Sequence, residues 1–301
     1  MINLNTKINN TKINNTIIKL NNKKQLKNPS KKNFENILLV YQENSLFLSE
    51  VLNFLKSKTN CLCIERDFLK EEHYNNINLI VVLGGDGTFL RASHLNKNIP
   101  MIGINPNPEK KEGFYMKATI QDYKEKIEKI LFGKINIDYK IIKLLRLGVK
   151  INNKKLPQYV LNEVFIGDKK PYNVFNYILK IQKKEKSDDK EKIIEEFQRS
   201  SGLLIGTPSG SNAWLSSAGG LKQNLEDKQF QYIARELYEG RLTKNYKLKQ
   251  GFLESNPHNK VLFIPKSKGI LVIDSISPEY ELNINDEIDV FTDEYLNYII
   301  F

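Results

Sequence analysis

Ile77-Asn78-Leu79-Ile80-Val81-Val82-Leu83-Gly84-Gly85-Asp86-Gly87-Thr88-Phe89-Leu90-Arg91-Ala92-Ser93-His94-Leu95 is the stretch that decides the fold. Leu79 to Leu83 is an unbroken apolar run rich in β-branched residues, the pattern of a strand buried on both faces of a parallel sheet. Three glycines then surround one aspartate. From Thr88 onward, apolar or small residues at Phe89, Leu90, Ala92 and Leu95 suit a helix. Strand, glycine loop and helix start let backbone N–H groups approach a phosphate. Glycine has no Cβ in the way, and a helix N-terminus favours negative charge. The spacing is neither the dinucleotide fingerprint nor a P-loop. What sets it apart is the acidic side chain inside the cradle. A carboxylate beside phosphates repels them unless a metal or a proton transfer requires it, so Asp86 is a candidate general base or Mg²⁺ partner. The competing reading is an aspartate that caps the following helix.

Working outward, the chain alternates strand and helix from Glu35. Ile37–Tyr41 reads as a strand, Ser45–Lys58 as a helix striped by Leu46, Phe47, Leu48, Val51, Leu52 and Leu55, and Cys61–Ile64 as a strand. Met101–Asn105 is the strand after the glycine loop, and Thr119–Phe132 a helix stopped by Gly133. Such alternation implies an open parallel sheet with ligands at the strands' carboxyl ends. The loop from Gly103 to Tyr115, with two prolines and four charges, shares the rim with Asp86.

Beyond about residue 135 strands dominate. Ile141–Ile151 and Gln158–Ile166 are joined near Asn152-Asn153. Tyr172–Ile181 and Ile193–Gln198 flank a charged tip, and Gly202–Gly206, Lys260–Ile264, Gly269–Asp274 and Glu279–Leu282 continue the series. Gln229–Leu242 reads as a helix. The expected organisation is an α/β domain over 35–134 and a β-rich, sandwich-like domain over 135–301.

Residues 1–34 carry eight lysines and no acidic residue. Subtracting those eight charges from the net +11 leaves +3 for the body, too little for a nucleic-acid-binding face. The segment reads as a disordered Asn/Lys-rich extension or a targeting segment. It would place the protein in the mitochondrion or another organelle if it is a transit peptide, and in the cytoplasm otherwise. No apolar run approaches the roughly 20 residues that span a bilayer. Cys61 and Cys63 alternate in a strand and read as buried reduced thiols; a lone C-x-C is poor evidence for a metal site, and no residue is assigned as a metal ligand.

Two further stretches carry chemistry. Asn162-Glu163 puts an amide and a carboxylate into an apolar strand, where they are expensive to bury without partners and suit ribose hydroxyls. In an alternating strand both reach one ligand only if the strand ends or twists there. Thr207-Pro208-Ser209-Gly210-Ser211-Asn212-Ala213-Trp214 follows a short strand and leads into Leu215-Ser216-Ser217-Ala218-Gly219-Gly220. Its hydroxyls converge near the only tryptophan, whose face suits a base or a nicotinamide ring. The alternative is a turn that caps a helix beside a core tryptophan. Arg235 and Arg241 are scarce arginines in a lysine-rich chain and read as surface residues, with phosphate contact as the alternative.

Together these stretches resemble the NAD kinase family, whose signatures are a GGDGT loop, an Asn-Glu pair on a strand, and a Thr-Pro-Thr/Ser-Gly-Ser turn followed by Ser-Ala-Gly-Gly. The Asn-Pro-Asn-Pro-Glu-Lys-Lys-Glu-Gly loop and Ser200-Ser201-Gly202 look like the mitochondrial-type branch. Ser201 stands where many members have an aspartate at the nicotinamide end, and Asn212 and Trp214 replace the usual threonine and tyrosine.

The resemblance implies transfer of a phosphoryl group from ATP to the 2′-hydroxyl of the adenosine ribose of NAD, with Mg²⁺ or Mn²⁺, by a homodimer or a dimer of dimers. It implies Asp86 as the base. Gly85, Gly87, Thr88 and Phe89 would lie at the phosphates, Asn162 and Glu163 at the adenosine, and Ser209, Asn212, Ala213, Trp214 and Ser217 along the dinucleotide pocket. Rivals are a lipid kinase of the diacylglycerol or sphingosine type, and a non-catalytic NAD(P) sensor. In the lipid kinases an Asn-Glu pair follows the loop almost directly. Here it comes 76 residues after Asp86.

Overall fold

The computed structural model describes residues 32–301, except 171, 185–190, 242 and 244. The expectations of disorder or targeting for the N-terminal segment fall on residues 1–31 and lie outside the described residues. Asn33 and Phe34 already belong to the folded body. The Asn33 amide donates to the carbonyls of Ile130 (2.9 Å) and Gly133 (2.8 Å), satisfying orphan acceptors at a helix C-terminus.

All five residues of Leu79–Leu83 are buried, as are all five of Met101–Asn105. An apolar run can stay in a sheet only if both faces are covered, and both are. On one face Ile37, Leu39, Leu79, Val81 and Leu83 pack under the helices Leu48–Lys58 and Tyr123–Phe132. On the other, Leu38, Val40, Ile80 and Val82 pack against Phe89, Leu90 and Ala92 of helix Asp86–Ser93 and against Tyr115 and Tyr298. The strand period of two assigns each residue its face.

The first sheet has seven strands. Their order is Asn60–Glu65, Asn36–Tyr41, Leu79–Leu83, Met101–Asn105, Leu296–Ile300, Lys140–Leu144, with Ala118–Thr119 pairing Met101–Asn105. The last strand of the chain lies parallel to Met101–Asn105, and Lys140–Leu144 runs antiparallel to it. The sheet therefore takes strands from both sides of the expected boundary at residues 134–135. Chain order reverses at Asn36–Tyr41, whose two neighbours are the next two strands. The crevice at such a switch point opens at the carboxyl ends, between Tyr41 and Leu83.

Two antiparallel six-stranded sheets make the rest. One is ordered Glu191–Ser200, Phe175–Lys184, Lys260–Pro265, Ile288–Thr292, Leu147–Ile151, Lys154–Lys155. The other is ordered Gln250–Glu254, Gln229–Arg235, Gly202–Gly206, Glu163–Gly167, Gly269–Ile273, Ile276–Leu282. Their inner faces share one core, in which Val149, Tyr177, Phe263 and Val290 meet Val164, Ile205, Phe230 and Leu271. This is the expected α/β architecture with a β sandwich.

Two expectations about single elements are corrected. Gln229–Arg235 is a strand, not part of a helix. Phe230, Ile233, Ala234 and Leu237 fit a helical stripe, but Phe230 and Tyr232 alternate into the sandwich core and Gly202–Gly206 offers a strand to pair with. The apolar run 141–151 is two strands in different sheets, broken at Leu145-Arg146. There the Arg146 side chain, 0% exposed, turns inward. It donates to the carbonyls of Ser93, Asn96, Lys97, Glu294 and Tyr295. Cys61 and Cys63 are free and half-buried rather than fully enclosed.

Candidate active site

Helix Asp86–Ser93 begins directly on the glycine loop, with Gly85 extended before it. A Cβ at Gly84 would lie 2.7 Å from Thr88 Oγ1, so packing alone requires that glycine. Gly85 and Gly87 differ. A Cβ at Gly85 would meet only Lys111 Cδ at 3.6 Å, and one at Gly87 would meet nothing within 4 Å. Their bareness serves no neighbour in the chain; it leaves backbone open to a cleft of about 290 Å³ lined by Gln42, Arg66, Gly85–Thr88 and Lys111–Gly113. Gly87→Ala is accordingly expected to hold or raise thermal stability by up to about 1 kcal/mol, since alanine favours the helix. It should weaken whatever binds in the cleft. A fall in melting temperature with unchanged activity would contradict this.

Asp86 stands at the mouth of the cradle and does not cap the helix. Its two oxygens accept from the N–H of Phe114 (3.0 Å) and of Tyr115 (2.8 Å). Asn105 shapes the loop that brings those amides in, donating to the Lys111 carbonyl and accepting from the Asn107 N–H. Gly113 turns it at φ 65, where a Cβ would press on Asn105 and Met116. Lys117 adds a cation beside Asp86; burial pulls its ammonium below the usual lysine range, and the carboxylate opposes that.

Tyr115 links this loop to the second signature. Its ring stacks on Phe89 at 4.8 Å, and its hydroxyl donates to Asn162 Oδ1. The strand starts at Glu163, so Asn162 lies just outside it, and strict alternation does not separate the pair. Asp274 fixes this bend. It sits with Ser275 in a two-residue turn at φ 51 and 55, and its carboxylate accepts from the N–H groups of Leu161, Asn162 and Glu163. His94 Nε2, at the end of the helix that starts with Asp86, lies 3.0 Å from Asp274 Oδ2.

Glu163 is 2% exposed. Ser275 Oγ donates to its Oε1 (3.2 Å), while Oε2 is buried with no partner. Burial first, and the Asp274 carboxylate second, raise its pKa to about 8. At neutral pH it is mostly protonated and offers a ligand an O–H. The native state thus holds a proton that the unfolded chain releases near pH 4.5. Stability should fall as pH rises from there to about 8, by up to about 1.4 kcal/mol per unit. Glu163→Gln is expected to flatten this slope. Equal melting-temperature changes in wild type and variant between pH 5 and pH 8 would refute it.

The third signature packs on the second through backbone. Thr207 N–H donates to the Asn162 carbonyl (2.9 Å), and Gly210 lies so close that a Cβ would be 2.1 Å from that oxygen. Ser209 is buried beside the Tyr115 hydroxyl. Asp86, Asn162, Glu163 and Ser209 therefore form one connected group. Asn212, Ala213, Trp214 and Ser217 do not line the Asp86 cleft. Trp214 lies 5.1 Å from Phe165, on the sheet face away from the sandwich core, with the Arg235 guanidinium 5.0 Å from its ring. Arg241 is exposed. Phe89 is corrected: it is fully buried and supports Tyr115 from behind instead of facing a ligand.

Sequence reasoning missed Arg66, Phe114, Tyr115 and Asp274. Gly113-Phe114-Tyr115 closing the proline loop and Asp274-Ser275 after an apolar strand were signals of a kind. Nothing local marked their partners.

A glycine cradle at the switch point of a parallel sheet, a fixed carboxylate at its mouth and an amide–carboxyl pair beside it define a nucleotide-dependent phosphotransferase. The family model described as ATP-NAD kinase N-terminal domain matches residues 6–135. The chain is similar to NAD kinases in sequence and in fold. A probable NADH kinase of Oryza sativa subsp. japonica is 27% identical over 264 residues, 81% of this chain and 78% of the relative. Two crystal structures share the fold. A yeast NADH kinase complexed with NADH has a TM-score of 0.70 at 17% identity, covering 89% of this chain and 84% of its own. An NAD kinase from Archaeoglobus fulgidus in complex with ATP has a TM-score of 0.65 at 20% identity, covering 88% and 93%.

Proposed function

We propose that this protein transfers the γ-phosphoryl group of ATP to the adenosine-ribose 2′-hydroxyl of NAD(H), with Asp86 as general base. The observation that carries the reading is the Asp86 carboxylate, clamped by two backbone amides at the edge of a cradle whose Gly85 and Gly87 face open space. A ribose hydroxyl is a poor nucleophile. As its oxygen bonds to the γ-phosphorus, its proton passes to Asp86, the bond to the bridging oxygen breaks, and ADP leaves with that electron pair. The N–H groups of Gly85, Gly87 and Thr88 hold phosphate. Asn162 and the protonated Glu163 orient the adenosine, and the Asn212–Ser217 segment supports the remote end of the dinucleotide.

The donor set fits Mg²⁺ or Mn²⁺ brought with ATP. Among the described residues no three His, Cys, Asp or Glu side chains form a metal cluster, and a hard cation on phosphates needs only one or two carboxylates. Asp86 and Glu112 line the cleft and would share it. The ion would neutralise charge on the β- and γ-oxygens.

The reading is tested by incubating the protein with ATP and a divalent cation, offering NAD⁺, NADH and diacylglycerol in parallel. Formation of NADP⁺ or NADPH is expected. Phosphorylated lipid alone would favour the lipid-kinase reading, and tight NAD(H) binding without product the sensor. Assembly as a homodimer or dimer of dimers is proposed as well. The long edge strand Glu191–Ser200 supports it, with Ile193, Ile194 and Phe197 exposed; a monomeric mass by light scattering would refute it. For residues 1–34 the proposal is organelle targeting, which uniform cytoplasmic fluorescence of a tagged full chain would contradict.

A further inference from the structure

We infer that Arg66 is a ligand of the phosphoryl group being transferred. The inference rests on the kinase reading and adds a residue that lies outside all three signatures. Arg66 is the first residue after the edge strand Asn60–Glu65, whose carboxyl end shares a rim with the glycine loop two strands away. No sequence neighbour explains its position. The strand direction carries it there, because three parallel strands end on one side of the sheet, with Gln42, Arg66 and Gly85 lining one cleft.

The guanidinium is aimed and incompletely used. Nη1 donates to Thr88 Oγ1 at 3.2 Å. Nε is shielded from solvent with no hydrogen bond, and its nearest carboxylate, Asp67, lies 3.6 Å away. Asp67 also pairs with Arg91 at 3.3 Å, so its charge is divided between two arginines. An arginine serving only as a strut has its donors consumed by protein acceptors, as those of Arg146 are. Arg66 instead fronts the bare side of Gly85 and Gly87, where an anion can approach.

The charge balance of the cleft agrees. Asp86 and Glu112 contribute two carboxylates to its lining, opposed by Arg66 and Lys111. A triphosphate requires cations there, and Lys111 is an exposed side chain on a loop, whereas Arg66 is anchored at a strand end. A planar fork that holds Thr88 with one arm and presents its other donors to phosphate oxygens suits a γ-phosphoryl group, whose charge spreads over three oxygens during transfer. Bonded to Thr88, Arg66 also ties the cation to the N–H groups of the helix start, so both act on the same phosphate.

The test is Arg66→Gln, measured for kcat, for KM of ATP, for dinucleotide affinity and for melting temperature, with the exposed Lys70→Gln as control for net charge. The expected result is a kcat about 10²-fold lower and a KM for ATP raised about 10-fold, as for loss of a donor to a charged transition state. NAD(H) affinity should stay within about threefold. Arg66→Lys should fall between, and free guanidinium should restore part of the turnover of Arg66→Ala. Unchanged ATP kinetics would overturn the proposal, as would dinucleotide affinity falling in step with ATP affinity. Lack of guanidinium rescue, with Arg66→Lys no better than Arg66→Gln, would also overturn it. Calorimetric titration of ATP into wild type and Arg66→Gln separates the two levels. If wild type forms no NADP(H), the kinase reading fails. Equal ATP affinity in the two proteins defeats the Arg66 assignment by itself.

Discussion

Asp86→Asn is expected to lower kcat by about 10³-fold, the scale of a lost general base. The substitution keeps the shape and removes the proton acceptor. It is not fully silent toward binding. The carboxylate accepts from both the Phe114 and the Tyr115 amides, and an asparagine can accept from only one while presenting an NH₂ to the other. The Phe114–Tyr115 segment should loosen, and Tyr115 carries the hydroxyl that holds Asn162. Dinucleotide affinity should therefore drop, though by no more than about 100-fold, one lost hydrogen bond to a charged group accounting for about 1.5–3 kcal/mol. Kinetics with a separate binding titration read both numbers. Wild-type turnover in the variant would mean the proton leaves by another route. A binding loss as large as the kcat loss would make Asp86 a structural clamp only.

Arg146→Met is expected to destabilise the fold by at least about 3 kcal/mol, the usual scale for removing one side of a buried charged network. For a chain this size that lowers the melting temperature by roughly 6–12 °C. The guanidinium is wholly enclosed, and burial pulls its pKa down to about 10, still well above neutrality. Its five bonds reach carbonyls on two segments, the end of the Asp86–Ser93 helix with the turn after it, and the 294–295 turn before the last strand. The methionine fills similar volume and leaves those acceptors bare. Arg146→Lys, with three donors, should recover part of the loss. Calorimetric unfolding checks both, and a fall of under 2 °C in the methionine variant would show that water replaces the guanidinium at little cost.

Much of the fold was legible because its signals are local. The Leu79–Leu83 run, the glycines after it and the helical spacing from Thr88 all act within a few residues, where backbone sterics and periodicity dominate. Gln229–Arg235 was misread because its apolar residues fit both periods. Only pairing with Gly202–Gly206 decides between them, and that partner lies more than twenty residues away in the chain. Ile141–Ile151 was read as one strand because nothing in its pattern marks Arg146 as the point where the chain changes sheets. The final strand, Leu296–Ile300, was not seen at all as part of the first sheet; its place depends on a neighbour nearly 200 residues earlier.

The candidate site divides the same way. That Asp86 stands among glycines at a helix start followed from residue types at close spacing, whereas the grouping of Asn162, Glu163 and the Thr207–Ser209 turn with it came from the resemblance to NAD kinases. The resemblance implies Phe89 at the phosphates, whereas a helix periodicity of 3.6 residues turns its side chain into the core. By itself the sequence determined the strand–loop–helix unit, the two-part architecture and the acidic side chain among glycines, since each depends on the conformational limits of neighbouring residues. Only the tertiary structure decided that Arg66 faces the cradle, that Tyr115 bridges Asp86 to Asn162, and that Asp274 bends the strand start. Those depend on which backbones meet across the sheets, and burial over the whole chain selects that meeting.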